Sequence, residues 1–410
     1  IFDAEQTKSA SDVCCLGLPL SKFLKEENAP EIMRNTCIIG AMAKAIGIDF
    51  RILEEVLKKE FAREIDLNLK VAKRGFNEAK ELMKIDTLKQ ASLPLLTGNQ
   101  AIALGLIKGG LNAYIAYPMT PTSPILHYLA GVSDNFGLDV IHPESEISVI
   151  LMALGYAYAG KRAAVGTSGG GFCLMTEGLS FAGMAELPIV IVLGQRPGPS
   201  TGLPTYSSQT ELHFALTAGQ GEFARFIAAP GDAEEAYSWS AISMNMSWKY
   251  QIPSIILSDK ELGESVFNFD INRVNKIAEE KPHIWDGKSA YKRYLIAKNG
   301  VSPLVFPPVK DAVIKVNSYE HDEFGITTED PKQAMLMQEK RLRKEKFLAE
   351  NLEGAFGIEI EVEEEEDLAT VGKAIILVSG KIASSSPVIS RGQGAGDRVQ
   401  EEVGGIDFNS

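Results

Sequence analysis

Apolar residues recur along the chain in two rhythms, and the change falls near residue 92. The first part is helical. A short apolar run within residues 12–20 reads as a buried strand, and three helical segments follow. The first begins near Pro30, a favourable first-turn residue, continues through residues 33–46 and is closed by Gly47. Asp49 caps the second, which is read with Ile52, Leu53, Val56, Leu57 and Phe61 along one face. The third, over residues 67–83, is amphipathic too, and a polar linker at 84–92 closes this small α-rich unit.

From Leu95 onward, short apolar runs alternate with segments of helix length. Residues 111–116, 140–141, 163–165, 189–193, 226–229 and 254–257 read as strands, and residues 98–109, 148–159, 174–185 and 233–246 as helices. Strands alternating with helices at this spacing predict an α/β fold with a doubly wound parallel sheet. Such sheets bind ligands outside the carboxyl ends of their strands, so the loops that follow strands are where chemistry is sought. Beyond residue 270 the pattern weakens. A charged helix over 333–352, an acidic run at 359–367 and an apolar strand at 374–378 stand out, and the Ser- and Gly-rich stretch from Ala383 reads as a poorly ordered tail.

A net charge of −13 with no basic stripe argues against nucleic-acid binding. No apolar run has the length of a membrane span, and nothing near Ile1 resembles a secretion signal. The expectation is a soluble cytoplasmic protein whose first residue marks a fragment or a processed chain. Cys14, Cys15, Cys37 and Cys173 show no C-x-x-C spacing, which argues against a disulfide framework, a zinc site or an iron–sulfur cluster held by this chain. All four are read as buried small hydrophobes.

Four loops after strands carry candidate chemistry. Y-P-M-T-P-T-S-P at 117–124 combines three prolines with hydroxyls, and reads by itself as a rigid loop before a helix. H-P-E-S-E-I-S at 142–148 places Glu144 and Glu146 ahead of an apolar helix, where a carboxylate can simply complement the helix dipole. G-T-S-G-G-G-F at 166–172 exposes backbone N–H groups to an anion or a flat ring, or else makes a tight turn. It has no following Lys and is not a P-loop. Q-R-P-G-P-S-T-G-L-P-T at 195–205 holds Arg196 at a strand end on a stiff loop, which suits a carboxylate ligand; the alternative is a structural ion pair.

In order along the chain, T-G-N-Q-A-I-A-L-G at 97–105, Y-P-M-T-P at 117–121, E-S-E-I-S at 144–148, T-S-G-G-G-F-C-L-M-T-E-G at 167–178 and the Q-R-P-G-P-S-T-G-L-P-T element resemble the α subunit of 2-oxoacid:ferredoxin oxidoreductases, the 2-oxoglutarate type above all. The likeness continues through Y-K-R-Y-L-I-A-K-N-G-V-S-P at 291–303 and E-H-D-E-F-G at 320–325, and covers residues 93–350. M-R-N-T at 33–36 and L-N-L-K-V-A at 67–72 are similar to the end of that family's γ domain. The resemblance thus implies a γ–α fusion. Residues 1–84 would be the C-terminal part of the γ domain, and 93–270 the pyrimidine-binding domain of a thiamine-diphosphate-binding fold. Residues 271–350 would extend that domain, and 351–410 would begin a truncated second α/β domain with an irregular tail.

The resemblance also implies roles. Glu146, with Glu144 as fallback, would hydrogen-bond the N1′ atom of the thiamine diphosphate aminopyrimidine. Pro118, Thr167, Ser168 and Gly169 would line the cofactor, and Thr120 and Arg196 would bind the 2-oxoacid and take part in catalysis. No metal ligand is expected from this chain. The G-D-G plus Asn motif that holds diphosphate and Mg²⁺ in such enzymes is missing, so a β subunit is expected to supply it, and a partner chain the iron–sulfur cluster. The implied reaction is oxidative decarboxylation of a 2-oxoacid, 2-oxoglutarate before pyruvate, to an acyl-coenzyme A, with electrons passed to ferredoxin. Two rival readings are a non-oxidative thiamine-diphosphate enzyme of the transketolase or decarboxylase type, and a non-catalytic α/β assembly subunit.

Overall fold

Chain contacts divide the computed structural model into two units, Ile1–Ser92 and Leu93–Ser410. The structure describes residues 1–5, 16–85, 92–274, 277, 279–356 and 374–378.

In the first unit, β1 (Phe2–Asp3) pairs in parallel with β2 (Gly17–Leu18). Four helices follow: α1 (Leu20–Glu26), α2 (Arg34–Ala45), α3 (Phe50–Glu60) and α4 (Ile65–Glu78). The expected strand at 12–20 falls partly outside the described residues, and α1, whose Leu20, Phe23 and Leu24 are buried, was not anticipated. Helices α2 and α4 meet backbone to backbone. A β-carbon on Gly40 would lie 1.9 Å from the Ala72 carbonyl oxygen, and one on Gly75 2.0 Å from that of Cys37, so each helix gives up a side chain where the other crosses. Asp49 caps α3 as expected, accepting from the Arg51 N–H. The apolar face of α3 is narrower than the pattern suggested: Leu53 and Leu57 are buried, whereas Ile52 and Val56 are 58% and 50% exposed and Phe61 lies past the helix end. Stepping back one residue turns a side chain about 100° around a helix, enough to carry the Ile52–Val56 row off the buried stripe.

The second unit is built on a seven-stranded sheet in the order β11-β8-β9-β7-β6-β4-β5. Its elements run β3 (Leu95–Thr97), α5 (Gly98–Lys108), β4 (Ala113–Ala116), α6 (Ser123–Phe136), β5 (Asp139–Ile141), α7 (Glu146–Tyr158), β6 (Ala163–Ser168), α8 (Gly169–Ala185), β7 (Ile189–Gln195) and α9 (Leu212–Thr217). They continue through β8 (Arg225–Ala229), α10 (Ala233–Tyr250), β9 (Pro253–Asp259), α11 (Lys260–Glu264), β10 (Val266–Asn268), α12 (Pro331–Phe356) and β11 (Ala374–Val378). All pairings within the large sheet are parallel, while β3 and β10 form a separate antiparallel ribbon.

Alternate strand residues face opposite layers. Ile115, Val165 and Ile191 pack with Val149, Ile150 and Leu179 of α7 and α8, whereas Tyr114, Ala164, Val190 and Val192 pack with residues of α5, α6 and α10. Burial on both faces explains why these strands read as continuous apolar runs. The doubly wound α/β expectation therefore holds. The strand at 374–378, expected to open a second α/β domain, instead pairs with β8 as an edge of this same sheet. The acidic run and the tail from Ala383 lie outside the described residues.

Residues beyond β10 are tied to the sheet by buried charge. Glu186, at the C-terminal end of α8, is 1% exposed and pairs with Lys340 at 2.6 Å and Lys344 at 2.5 Å, both on α12. Arg293 donates to the carbonyls of Ala185 and Glu186 at 3.0 and 2.8 Å. Burial alone would raise the Glu186 carboxyl, but Lys340, Lys344 and Arg293 together hold it well below the usual range.

Candidate active site

Strand β4 is followed in the chain by β5 on one side of it, and then by β6 on the other. The order of the sheet reverses there, and in open parallel sheets the crevice at such a reversal is where ligands bind. Four segments end at this rim: the loop after β4, the start of α7, the start of α8 and the loop after β7.

The loop after β4 is rigid for reasons beyond its prolines. Thr122 caps it, its hydroxyl donating to the Met119 carbonyl at 2.9 Å, and the buried Asn99 amide on α5 donates to the Pro121 carbonyl at 3.0 Å. Thr120–Pro121 is a cis peptide bond. Gly194 in β7 makes room for this loop, because a β-carbon there would lie 2.7 Å from Thr122 and 2.8 Å from Pro121. Pro118 and Thr120 are partly exposed on it.

The two candidate carboxylates separate cleanly. Glu144 is exposed, whereas Glu146 is the first residue of α7 and is 5% exposed. Glu146 forms no hydrogen bond or ion pair through its carboxylate among the described residues. Its neighbour is the start of α8. The glycine-rich segment expected as a loop is not one: Gly166, Thr167 and Ser168 complete β6, and Gly169 to Phe172 form the first turn of a helix that starts five residues before residue 174. A β-carbon on Gly171 would lie 2.2 Å from Thr167 Oγ1 and 2.7 Å from Glu146 Oε1, so this glycine is what lets both side chains stand there. Thr167 and Ser168 are fully buried, and the Ser168 hydroxyl has no hydrogen-bond partner.

The loop after β7 turns sharply. Gly202 has φ +55°, and a β-carbon on it would fall 1.7 Å from the Pro197 carbonyl, which instead accepts the Leu203 N–H at 3.0 Å. Arg196, 6% exposed, donates from Nη1 to the Thr120 carbonyl at 2.8 Å, and its Nε is buried without a partner. Burial lowers the Arg196 pKa, and the charge of Glu211 opposes that shift. Sequence reasoning expected Thr120 and Arg196 to converge, and they do. The contact runs through the Thr120 main chain, and the Thr120 hydroxyl has no partner among the described residues.

Several contributors were not singled out in the sequence. Asn99, Gly171, Gly194 and Glu211 act through contacts between distant segments, and Gln209 donates to Asp259 Oδ2 at 2.6 Å to close the far end of the long loop. The only local hint was a polar residue at a helix start, as in T-G-N-Q. Cys173, expected to be buried, is exposed on α8; Cys37 is buried, and Cys14 and Cys15 lie outside the described residues. Among the described residues no cluster of His, Cys, Asp or Glu could hold a metal ion, and no helix is long and apolar enough to cross a membrane.

A parallel α/β layer with a buried carboxylate, Glu146, and a buried guanidinium, Arg196, at its strand ends is the architecture in which such sheets bind ligands. Comparison with known proteins narrows this. Residues 104–340 match the family described as pyruvate flavodoxin/ferredoxin oxidoreductase, thiamine diP-binding, and the chain belongs to it. Residues 3–78 match the family described as pyruvate ferredoxin/flavodoxin oxidoreductase.

Among curated relatives, the 2-oxoacid:ferredoxin oxidoreductase subunit alpha of Saccharolobus solfataricus is 36% identical over 333 residues, covering 76% of this chain and 52% of the relative. The 2-oxoglutarate synthase subunit KorA of Archaeoglobus fulgidus is 33% identical over 213 residues, covering 51% of this chain and 62% of the relative. A solved 2-oxoglutarate:ferredoxin oxidoreductase from Magnetococcus marinus, with 2-oxoglutarate, coenzyme A and succinyl-CoA bound, superposes with a TM-score of 0.74 at 32% identity, over 85% of this chain and 62% of that one. The chain spans about half the length of the Saccharolobus relative.

Proposed function

We propose that this chain is the α half of a thiamine-diphosphate-dependent 2-oxoacid:ferredoxin oxidoreductase, a γ–α fusion in which residues 1–84 end the γ part and residues 93–270 take the pyrimidine side of the cofactor. The observation that carries the reading is Glu146, a buried carboxylate at the switch point with no partner of its own. A carboxylate out of water is costly unless something bonds to it, and the N1′–H of an aminopyrimidine in its protonated or imino form is a fitting donor. When bound, thiamine diphosphate supplies the carbon nucleophile and electron sink that a 2-oxoacid needs to lose CO₂.

The chain's own residues have distinct tasks. The Glu146 carboxylate would accept a hydrogen bond from the pyrimidine N1′–H and hold the proton there. Thr167 and Gly171 confine that carboxylate, and Pro118, Ser168 and Gly169 form the adjoining rim. Arg196, with one N–H committed to the Thr120 carbonyl, offers its remaining donors to the carboxylate of the 2-oxoacid, and the Thr120 hydroxyl stands free to donate beside it.

The rest is assigned to partners. The chain lacks a G-D-G plus Asn element, so a β subunit holds diphosphate and Mg²⁺, and a partner chain carries the iron–sulfur cluster that takes electrons singly to ferredoxin, with coenzyme A as acyl acceptor. The relatives named for 2-oxoglutarate, and the superposable structure that binds it, favour 2-oxoglutarate over pyruvate.

The test is Glu146→Gln in complex with the β subunit. The variant should bind the cofactor, and exchange of the cofactor C2 proton should fall by more than about 10²-fold, the scale of general acid–base help. Unchanged exchange would remove Glu146 from this role.

A further inference from the structure

The long loop after β7 ends in a second buried carboxylate that the proposed chemistry does not use. Glu211, which precedes α9, is 7% exposed. Its Oε2 accepts from the N–H and the hydroxyl of Thr210, both at 3.2 Å, and its Oε1 accepts from the main-chain N–H of Arg196 at 3.4 Å. It makes no ion pair within 4.0 Å among the described residues. The same Oε1 lies 2.7 Å from where a β-carbon on Gly169 would stand, which places the carboxylate against the first turn of α8. A negative charge is favoured at a helix N-terminus, and α8 runs for 17 residues.

We propose that Glu211 is a positioning residue for Arg196: its carboxylate joins the Arg196 main chain to the start of α8 and so sets where the guanidinium stands beside Thr120. The inference rests on the reading of Arg196 as the carboxylate anchor. Three observations support it. Arg196 carries five N–H groups on its guanidinium yet bonds to one carbonyl, so the fork is not fixed by its own side-chain contacts. The Glu211 carboxylate acts on the Arg196 charge, opposing the lowering that burial causes. The loop between them is closed at its far end by Gln209 on Asp259. A shift of Glu211 therefore moves the Arg196 main chain relative to α8.

The test compares Glu211→Gln, which keeps shape but removes charge, with Glu211→Asp, which keeps charge on a shorter stem. In the full chain without cofactor, labelling of Arg196 by phenylglyoxal is followed by peptide mass spectrometry. The reagent attacks the neutral guanidine, so loss of the neighbouring charge should speed labelling of Arg196. In complex with the β subunit, KM for the 2-oxoacid should rise about tenfold in Glu211→Gln with kcat within about twofold, corresponding to roughly 1.4 kcal/mol of binding. Glu211→Asp should restore labelling and KM toward wild type.

Unchanged labelling and unchanged KM in Glu211→Gln overturn the proposal. So does an equal fall of kcat and melting temperature in both variants, which marks a structural role alone. If the wild-type complex turns over no 2-oxoacid, the proposed function falls, and the labelling contrast still decides whether Glu211 positions Arg196.

Discussion

Glu146 and Gly171 are in contact that leaves no room for a side chain: a β-carbon on the glycine would stand 2.7 Å from the Glu146 Oε1 and 2.9 Å from its Cγ. The contact joins the first residue of α7 to the first turn of α8, across the rim where the cofactor is proposed to bind.

Gly171→Ala should therefore displace Glu146 or Thr167 with little loss of fold, since alanine suits a helix better than glycine. The expected outcome is a melting temperature within a few degrees of wild type and thiamine diphosphate affinity in the complex lowered about tenfold or more. Cofactor titration followed by circular dichroism or calorimetry measures it. Unchanged affinity would show that the carboxylate need not stand where it does.

Arg196→Ala should weaken capture of the 2-oxoacid by about ten- to a hundredfold in kcat/KM, the range for a charge-assisted hydrogen bond of roughly 1.5–3 kcal/mol. Arg196→Lys should recover only part of this, because an ammonium cannot both bond the Thr120 carbonyl and present a planar fork. Steady-state kinetics with 2-oxoglutarate, pyruvate and a branched 2-oxoacid give the comparison. Wild-type values for all three would make Arg196 structural.

Glu186→Gln should be among the most destabilising single changes. It leaves Lys340, Lys344 and Arg293 buried with no anion between them, and breaking a buried pair from one side costs about 3–5 kcal/mol. Lys340→Met should cost less, because Lys344 remains on the carboxylate. Urea midpoints of the two variants should fall in that order.

His321 predicts a pH dependence. It is fully buried, its Nδ1 lies 2.9 Å from the Tyr319 carbonyl oxygen and its Nε2 has no partner. Burial pushes its pKa below the ordinary histidine value, against the pull of Tyr319. As pH falls below about 6.5 the unfolded chain takes the proton first, so stability drops from there toward the lowered folded value. Glu186 and Glu320 do not interfere, since their folded values lie below the ordinary carboxylate range and their loss begins only in stronger acid. Buried Lys344, whose pKa is lowered to about 7, adds a slope of its own near neutral pH in both proteins. Stability measured from pH 6.5 to 5 should therefore fall more steeply in wild type than in His321→Asn. An equal slope in both would reject the assignment.

How much of this was readable in advance differs by element. The strands that form the sheet centre announced themselves because burial on both faces makes them uniformly apolar, as in Ile189–Gln195. Short elements stabilised by tertiary contacts, such as Leu20–Glu26 and the β3–β10 ribbon, gave no periodic signal. The start of α8 was misplaced because three successive glycines look like a loop; two of them, Gly169 and Gly171, are glycine because neighbouring side chains stand where a β-carbon would be. The candidate residues fall at strand ends, as expected from the alternation of strands and helices. What tied them together did not show, because Arg196 reaches Thr120 across 76 positions and Asn99 reaches Pro121 across 22. Contacts of that span leave no mark on local spacing.

Helix α8 has two ends of opposite character. At its first turn, glycines are pressed by Glu146, Thr167 and Glu211; just past its last turn, Glu186 anchors the charges of α12 and Arg293. Seventeen residues of rigid helix separate them. If the proposed site is right, residues around the glycine end can be exchanged while the ionic anchor is left alone. The same geometry warns against the reverse: a change at Glu186 that tilts the helix would swing its glycine end as a lever swings its far arm.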